Sequence, residues 1–385
     1  MKVKDYLDNI IDNRGKNPQY LENGEYPVID NVYIKNNYYI NDNNVARYIN
    51  QETYNNFLRG YVEKDMTIMT LVGSGIGNVG LIKSENDVIV QNTIGFKTKE
   101  SLLSKYLYYW FLNRQDELKL FNRGSGQPSI KKTDIENMEI CIPDINTQGK
   151  IVKILSTIDD KIELNNQTND NLHELVNTIY KNTFEDLNEF KKAEEIANIT
   201  IGKTPPRNIK ECFSNDNNDI KWLSISDLGK CGMYAWNTSE KLTKEAIDNY
   251  NVKVIPQNTI VLSFKLTIGR IAIIADKMAT NEAIAHFNLH DHEMIYFLYS
   301  YLKNFDYTKL GNTSSIATAV NSKIIKSMLI GIPSKEKMVI FNKQVKALFE
   351  KIKLNEQQNM ILEQLRDTLL PKLMNGEIDL DKIEI

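Results

Sequence analysis

Long apolar runs are missing from this sequence: nowhere do the roughly 18 consecutive apolar residues that a membrane-spanning helix needs occur. The opening Met1-Lys2-Val3-Lys4-Asp5 also lacks the apolar stretch of a secretory signal, so the cytoplasm is the expected location. Cysteine is scarce. Cys141, Cys212 and Cys231 are too few and too scattered for a disulfide framework or a zinc site. A strong charge of one sign is absent as well, since 47 Lys and Arg stand against 50 Asp and Glu, a net of −3. That balance gives no sequence-wide attraction to a polyanion, but it is unevenly spread. Asp144 to Glu189 holds nine acidic and four basic residues, a net of −5, so the remainder carries +2. Slightly basic flanks around an acidic segment are compatible with local nucleic-acid contacts without demanding them. Catalytic signatures are lacking too. There is no P-loop with Lys-Ser/Thr, no His-Glu-x-x-His, and no Asn/Asp-Pro-Pro-aromatic tetrapeptide of the kind used on a flipped adenine. What remains is 385 residues that are 42% hydrophobic and 25% charged, enough for two or three packed domains.

What is present, twice, is a long polar helix. The first copy is expected over Thr147–Phe184 and the second over Glu336–Met374. Ile151, Leu155, Ile158 and Ile162, then Leu172, Val176 and Ile179, step by fours and threes in the manner of a coiled-coil seam. At an offset of 190 stand Phe341, Val345, Leu348, Ile352, Leu362, Arg366 and Leu369, all apolar but Arg366. The two remaining seam positions are Asn165 and Asn169, and their counterparts are Asn355 and Asn359. Buried Asn lowers seam stability but fixes register, because a slipped pairing strands its amides. These four residues are therefore expected to set the register of an antiparallel pair within one chain.

The offset extends beyond the helices. Gly15-Lys16-Asn17-Pro18 recurs as Gly202-Lys203-Thr204-Pro205, Ile76-Gly77 as Ile268-Gly269, and Ile142-Pro143 as Ile332-Pro333. The chain reads as a tandem duplication of a globular domain of about 140 residues followed by a helix of about 40. Short strands are expected at Lys64–Val72, Val79–Ile82, Val88–Gln91 and Met138–Ile142, and a helix over Leu102–Leu120. In the second copy strands are expected at Ile260–Phe264, Arg270–Ala275 and Met328–Ile332, with a helix over Met294–Lys303. Glu194–Asn218 reads as loop, Leu187–Phe190 as a junction, and the chain is expected to leave the last helix from Asn375-Gly376-Glu377 onward, a few residues after Pro371.

Several residues invite a chemical reading. Gly75-Ile76-Gly77-Asn78-Val79-Gly80 spells G-x-G-x-x-G, but a dinucleotide site needs a helix after the last glycine, and the pattern there is strand-like. Gly77 and Gly269 instead fit tight turns with positive φ. His286, His290 and His292 cluster near Glu282 and Asp291 without metal-ligand spacing and read as a solvated loop. Asp159-Asp160 aligns with Phe349-Glu350 and reads as a solvated helix face rather than an acid–base pair. The repeated Gly-Lys loops, the Arg123–Gln127 segment (set against Thr313–Ala317) and polar residues near turns are candidates for phosphate or base contact. The candidates are Arg14, Lys16, Tyr33, Lys35, Ser74, Asn78, Arg123 and Gln127 in the first copy. In the second they are Lys203, Arg207, Lys265 and Arg270.

Ile142-Pro143, Gln148, Ile151, Leu155-Ser156-Thr157-Ile158-Asp159-Asp160-Lys161-Ile162-Glu163-Leu164-Asn165, Leu172, Leu175 and Phe184 together resemble the central repeat of the specificity (S) subunits of Type I restriction–modification systems. Gly124-Ser125-Gly126-Gln127-Pro128-Ser129-Ile130 and the segment from Leu365 to Ile378 are similar to the same family. Thr313–Val320 and Met338 depart from it, where the first copy has a glycine- and Gln-containing loop and Gln148. The resemblance implies an α+β chain with two mixed α/β target recognition domains in pseudo-two-fold tandem, separated by two long antiparallel coiled-coil helices. The implied parts are residues 1–143, a central helix at 144–187, residues 188–333, and a C-terminal helix and tail at 334–385. Each recognition domain would read half of a split double-stranded DNA site. The helices, about 60 Å long at 1.5 Å per residue, would set the gap, a duplex turn being about 34–36 Å. Two methyltransferase (M) subunits would dock on them, bringing S-adenosylmethionine. Restriction (R) subunits, using ATP and Mg²⁺, would join in some complexes. No metal, cofactor or catalytic residue is expected in this chain. The alternative reading is an adaptor that joins two protein partners without DNA.

Overall fold

The computed structural model describes residues 1–40, 45–124, 126–310 and 320–382. The chain forms two compact units, one of Met1–Glu163 with Ile361–Ile385 and the other of Leu164–Met360. Two long helices, Ile145–Thr183 and Lys335–Met374, each contribute one portion to either unit. The second is rich in Lys, Leu, Glu and Gln, whereas the first carries many Ile, Thr and Asn and holds its helix by packing; the second carries Pro371 within its last turn and runs on to Met374. The chain then turns at Gly376, whose φ of 71° suits a residue with no Cβ.

The first unit is built on a five-stranded sheet in the order Leu7–Ile11, Thr93–Thr98, Thr67–Thr70, Val79–Leu81, Asn37–Tyr39. Its neighbours are antiparallel except the last pair, in which Asn37 lies opposite Gly80 in parallel register. The helix Ser104–Leu112 packs on this sheet through Tyr106, Leu107, Tyr109, Trp110 and Phe111, all buried. The same core takes in Ile151 and Leu155 from the first long helix and Leu370 and Leu373 from the second.

The second unit repeats this plan. Its five strands run Ala197–Ile201, Ile284–Leu289, Ile260–Ser263, Ile271–Ile274, Tyr234–Ala235, again with only the last pair parallel. The helix Ile295–Asn304 lies where Ser104–Leu112 lies in the first unit, and its core includes Val176 and Tyr180 with Phe341, Val345 and Ile352. The duplication is therefore one of topology as well as sequence. A smaller four-stranded sheet, Phe213–Ser214, Glu240–Leu242, Ile220–Leu223, Ala279–Thr280, is added to the second copy.

Some expectations need correction. Val88–Gln91 forms only a bridge from Val88 to Val28, and Met138–Ile142 only a bridge from Glu139 to Lys2. The helix expected over Leu102–Leu120 is two helices that break at Asn113 and Arg114, where the Arg114 backbone leaves the helical region. Glu194–Asn218 is not all loop, since Ala197–Ile201 is an edge strand held by five residue pairings with Ile284–Leu289. His286 is on that partner strand, fully buried, with Thr200 Oγ1 2.8 Å from Nδ1 and Thr280 Oγ1 2.7 Å from Nε2. It is a core residue rather than part of a solvated loop. Burial alone pushes its pKa down to about 4.

Candidate functional site

The seam of the long helices forms as the spacing predicts. Ile151, Leu155, Ile158, Val176, Phe341, Val345 and Ile352 are buried, and Asn165, Asn169, Asn355 and Asn359 are buried among them. The amides pair crosswise. Asn165 Nδ2 donates to Asn359 Oδ1 at 2.7 Å, and Asn355 Nδ2 donates to Asn169 Oδ1 at 2.8 Å. The earlier Asn of each helix thus meets the later Asn of the other, which only an antiparallel pair allows. Asn165 also donates to Gln358 Oε1, and Asn359 donates to Asn166 Oδ1. A shift of one helical turn would still pair two of these Asn but leave the other two facing apolar seam positions, Leu172 and Leu362 or Ile162 and Ile352 according to its direction, and cost roughly 1–3 kcal/mol for each unpaired polar group.

Arg366, the one polar break in the apolar half of the pattern, has a partner the sequence did not reveal. Its Nη1 lies 2.9 Å from Asp159 Oδ1, and its Nη2 lies 2.9 Å from Asp367. Asp159 is 2% exposed and accepts a second bond, at 2.6 Å, from the Tyr109 hydroxyl. The solvated-face reading of Asp159 is therefore wrong: the carboxylate joins the domain helix to both long helices within the first unit. Burial raises the Asp159 pKa, while Arg366 and Tyr109 pull it down. Burial also works against the Arg366 charge, but the two carboxylates more than offset it and its pKa is raised. The equivalent places in the second unit hold Tyr299, Phe349 and Val176, and the rings of Tyr299 and Phe349 meet edge-on at 5.7 Å.

Each domain has a further polar anchor on its helix. Gln148, fully buried, accepts from the Leu103 amide at 3.0 Å and donates to the carbonyls of Ser101 and Pro143. In the second unit Glu356 Oε1 accepts from the Met233 amide at 2.7 Å, and Oε2 accepts from the Tyr234 amide and from Trp236 Nε1 at 3.1 and 3.0 Å. Sequence spacing gave no signal for Glu356, because an acid off the seam of a polar helix looks like solvated surface.

Of the candidate contact residues in the first unit, the hairpin turn between Thr67–Thr70 and Val79–Leu81 gathers several. Gly77, at φ 78°, closes it. Asn78 Nδ2 donates to the Ile34 carbonyl at 2.9 Å, which fixes the segment bearing Tyr33 and Lys35 against the turn. On its other side the Gly73 amide donates to the Pro128 carbonyl, beside Gln127. Ser74, Lys35 and Gln127 are exposed there. Tyr33 accepts from the Ala46 amide, and Arg123 pairs with Asp134 at 2.7 Å. Arg14 and Lys16 belong to a different loop, with Arg14 bound to Asp12 and Lys16 lying 4.7 Å from the Phe57 ring centre. Ser125 and residues 313–319, part of the loop comparison drawn above, lie outside the described residues.

In the second unit the Lys203 loop and the Lys265 turn flank one segment. The Lys203 amide donates to the Thr280 carbonyl at 2.9 Å, and the Phe264 amide donates to the Ala283 carbonyl at 2.9 Å. Lys203 and Lys265 are exposed. Arg207 Nη1 donates to both carboxylate oxygens of Glu240, at 2.7 and 2.9 Å, and the guanidinium stacks over Phe213 and Trp222. Arg270 donates to the Ile225 carbonyl at 2.7 Å. The arginines thus brace loops, while these two lysines present charge.

The segment after Gly80 is strand, not helix, so the glycine run cannot seat a pyrophosphate on a helix N-terminus. Among the described residues no cluster of three or more His, Cys, Asp or Glu is placed to hold a metal ion, and no helix is long and apolar enough to cross a membrane.

Comparison with known proteins agrees with this geometry. The chain is similar to the specificity subunit of the Type I restriction enzyme HindI of Haemophilus influenzae, at 26% identity over 337 residues covering 67% of this chain and 72% of that one. It is also similar to the specificity subunit of the Type I restriction enzyme MjaIX of Methanocaldococcus jannaschii, at 28% identity over 351 residues covering 82% and 78%. In fold it is similar to the crystal structure of a Type I restriction–modification S subunit from M. genitalium, with a TM-score of 0.56 at 16% identity, covering 97% of this chain and 95% of that one. The family model for the Type I restriction modification DNA specificity domain matches two segments, residues 9–174 and 185–364. Matched twice over most of its length, the chain belongs to the Type I restriction–modification DNA specificity family.

Proposed function

We propose that this chain is the DNA-recognition subunit of a Type I restriction–modification complex in which each of its two domains reads one half of a bipartite site. The observation that carries this is the duplication. Two sheets of the same strand order each sit on a portion of the same antiparallel helix pair, held in one register by crossed Asn pairs. Two readers of different sequence give an asymmetric split site, and the paired helices set its gap. The exposed turns and loops around Lys35, Ser74 and Gln127, and around Lys203 and Lys265, are the surfaces that face DNA. Base-edge contacts from such loops supply sequence choice, while phosphate contacts position the domain.

Catalysis belongs to partner subunits. Two methyltransferase subunits dock on the helices and bring S-adenosylmethionine, and restriction subunits, where present, bring ATP and Mg²⁺ chemistry. The net charge of −3 fits a subunit whose partners supply much of the phosphate attraction. The test is methylation of adenine in a split motif by the chain with its methyltransferase partner, and none by the chain alone. Methylation by the isolated chain would refute the reading. Inserting four residues near Leu172 lengthens that helix by about 6 Å and should change the preferred gap while both half-sites stay the same. A change in the half-sites would refute the spacer role.

A further inference from the structure

Glu356 is a carboxylate turned away from the helix seam and into the second domain. Its repeat counterpart is Asn166, which accepts from Asn359 across the helix pair; Glu356 instead accepts from the Met233 and Tyr234 amides and from the indole of Trp236. Three convergent N–H donors and an acceptor with two oxygens make a closed set, of the charge-assisted kind that is short and directional. Gly232 admits the carboxylate, since a Cβ built there would overlap Glu356 Oε1. The adjoining turns extend the grip. Lys353 Nζ lies 5.4 Å from the Tyr234 ring centre, and Asn237 Nδ2 lies 3.2 Å from Met360 Sδ. Tyr234–Ala235 is also the edge strand that pairs in parallel with Ile271–Ile274. That strand continues from the turn bearing Lys265 and Arg270.

We propose that Glu356 is a positioning residue for sequence reading: through the Gly232–Trp236 socket it fixes the angle of the second domain on the second long helix, and so the phase at which the second half-site is read. An apolar contact resists separation but tolerates rotation and sliding, whereas three directional bonds to one carboxylate do not. This rests on the reading that the two domains read the two halves of a split site.

The test uses the full chain in complex with its methyltransferase partner and a DNA series in which both half-sites are constant and the gap changes one base pair at a time. The wild-type complex should prefer one gap. Glu356→Ala, which removes all three bonds, should reduce that preference at least about tenfold, the effect of about 1.4 kcal/mol, with the half-site sequences unchanged. Gly232→Ala, whose methyl displaces the carboxylate, should do the same. Glu356→Gln, which retains one acceptor oxygen, should fall between. Circular dichroism and thermal melting establish that each variant is folded, and if Glu356→Ala is not, the Gln and Gly232→Ala variants carry the comparison. Folded variants that discriminate gaps as the wild type does would overturn the proposal, as would loss of half-site preference together with gap preference. A wild-type complex indifferent to split sites would instead overturn the functional reading beneath it.

Discussion

Removing the Arg366 guanidinium should cost far more than removing both members of its ion pair. Asp159 is 2% exposed, and its remaining partner would be the Tyr109 hydroxyl. Arg366→Met therefore strands a buried carboxylate and should cost about 3–5 kcal/mol at neutral pH. Asp159→Leu should cost less, about 1–2 kcal/mol, mainly for the orphaned Tyr109 hydroxyl. Arg366 would keep Asp367 at 2.9 Å, and its side chain is 16% exposed. The double variant should lie within about 1 kcal/mol of Asp159→Leu, because the second unit shows that this place in the repeat accepts apolar residues, Phe349 and Val176. Guanidinium denaturation of the four proteins, followed by circular dichroism, measures the coupling. The Arg366→Met deficit should also shrink as pH falls from 7 toward 5. Burial already raises the Asp159 pKa in the folded state, and loss of Arg366 raises it further, so the folded variant takes up protons that the unfolded chain does not. Additive single-variant costs, or a deficit that grows on acidification, would refute the reasoning.

Other outcomes follow from the same geometry. His286 has a folded pKa of about 4, below its unfolded value, so its contribution is complete above about pH 6.5 and is lost as pH falls toward 4. The unfolding free energy from denaturant titrations should decline over that window by about 3 kcal/mol, and His286→Gln should flatten the decline. Gly269→Ala forces a side chain into φ 92° and sets its Cβ 3.0 Å from the Tyr307 ring, a loss of about 1–3 kcal/mol read by thermal melting. Lys203→Ala and Lys265→Ala should each lower the slope of log affinity against log salt by about 1 in DNA-binding titrations of the assembled complex, whereas Arg270→Ala should chiefly lower stability. Asn169→Leu with Asn355→Leu should raise the denaturation midpoint yet admit mixed oligomers in sedimentation, since the seam would lose its register signal.

The sequence disclosed those parts of the molecule that repeat. The seam, its four Asn and the positive-φ glycines at Gly77 and Gly269 were legible because each depends on spacing within one element or on a doubled pattern. The topology of the two sheets was only half legible, since Ala197–Ile201 owes its strand character to pairing with residues some 90 positions later rather than to its own flanks. The polar anchors were hidden for the same reason. Asp159 meets Arg366 across 207 residues of chain, and Glu356 meets Met233 across 123. An acid destined for such a partner is indistinguishable in sequence from one facing water. His286 was misread because neighbouring histidines suggested a polar loop, while the threonines that satisfy its two nitrogens come from other strands.

The composition of the first unit has a consequence for how the molecule is made. Its core draws Leu370 and Leu373 from the far end of the chain, and Asp159 waits for Arg366. A ribosome adding about 5–20 residues per second needs on the order of 10–40 s to pass from the first contributing segment to the last. During that time Leu164–Met360 can close on itself, whereas the domain that emerged first stays unfinished. The earliest-made half of this protein is thus the last to be sealed, and it is the half whose seal is an ion pair rather than a second Phe.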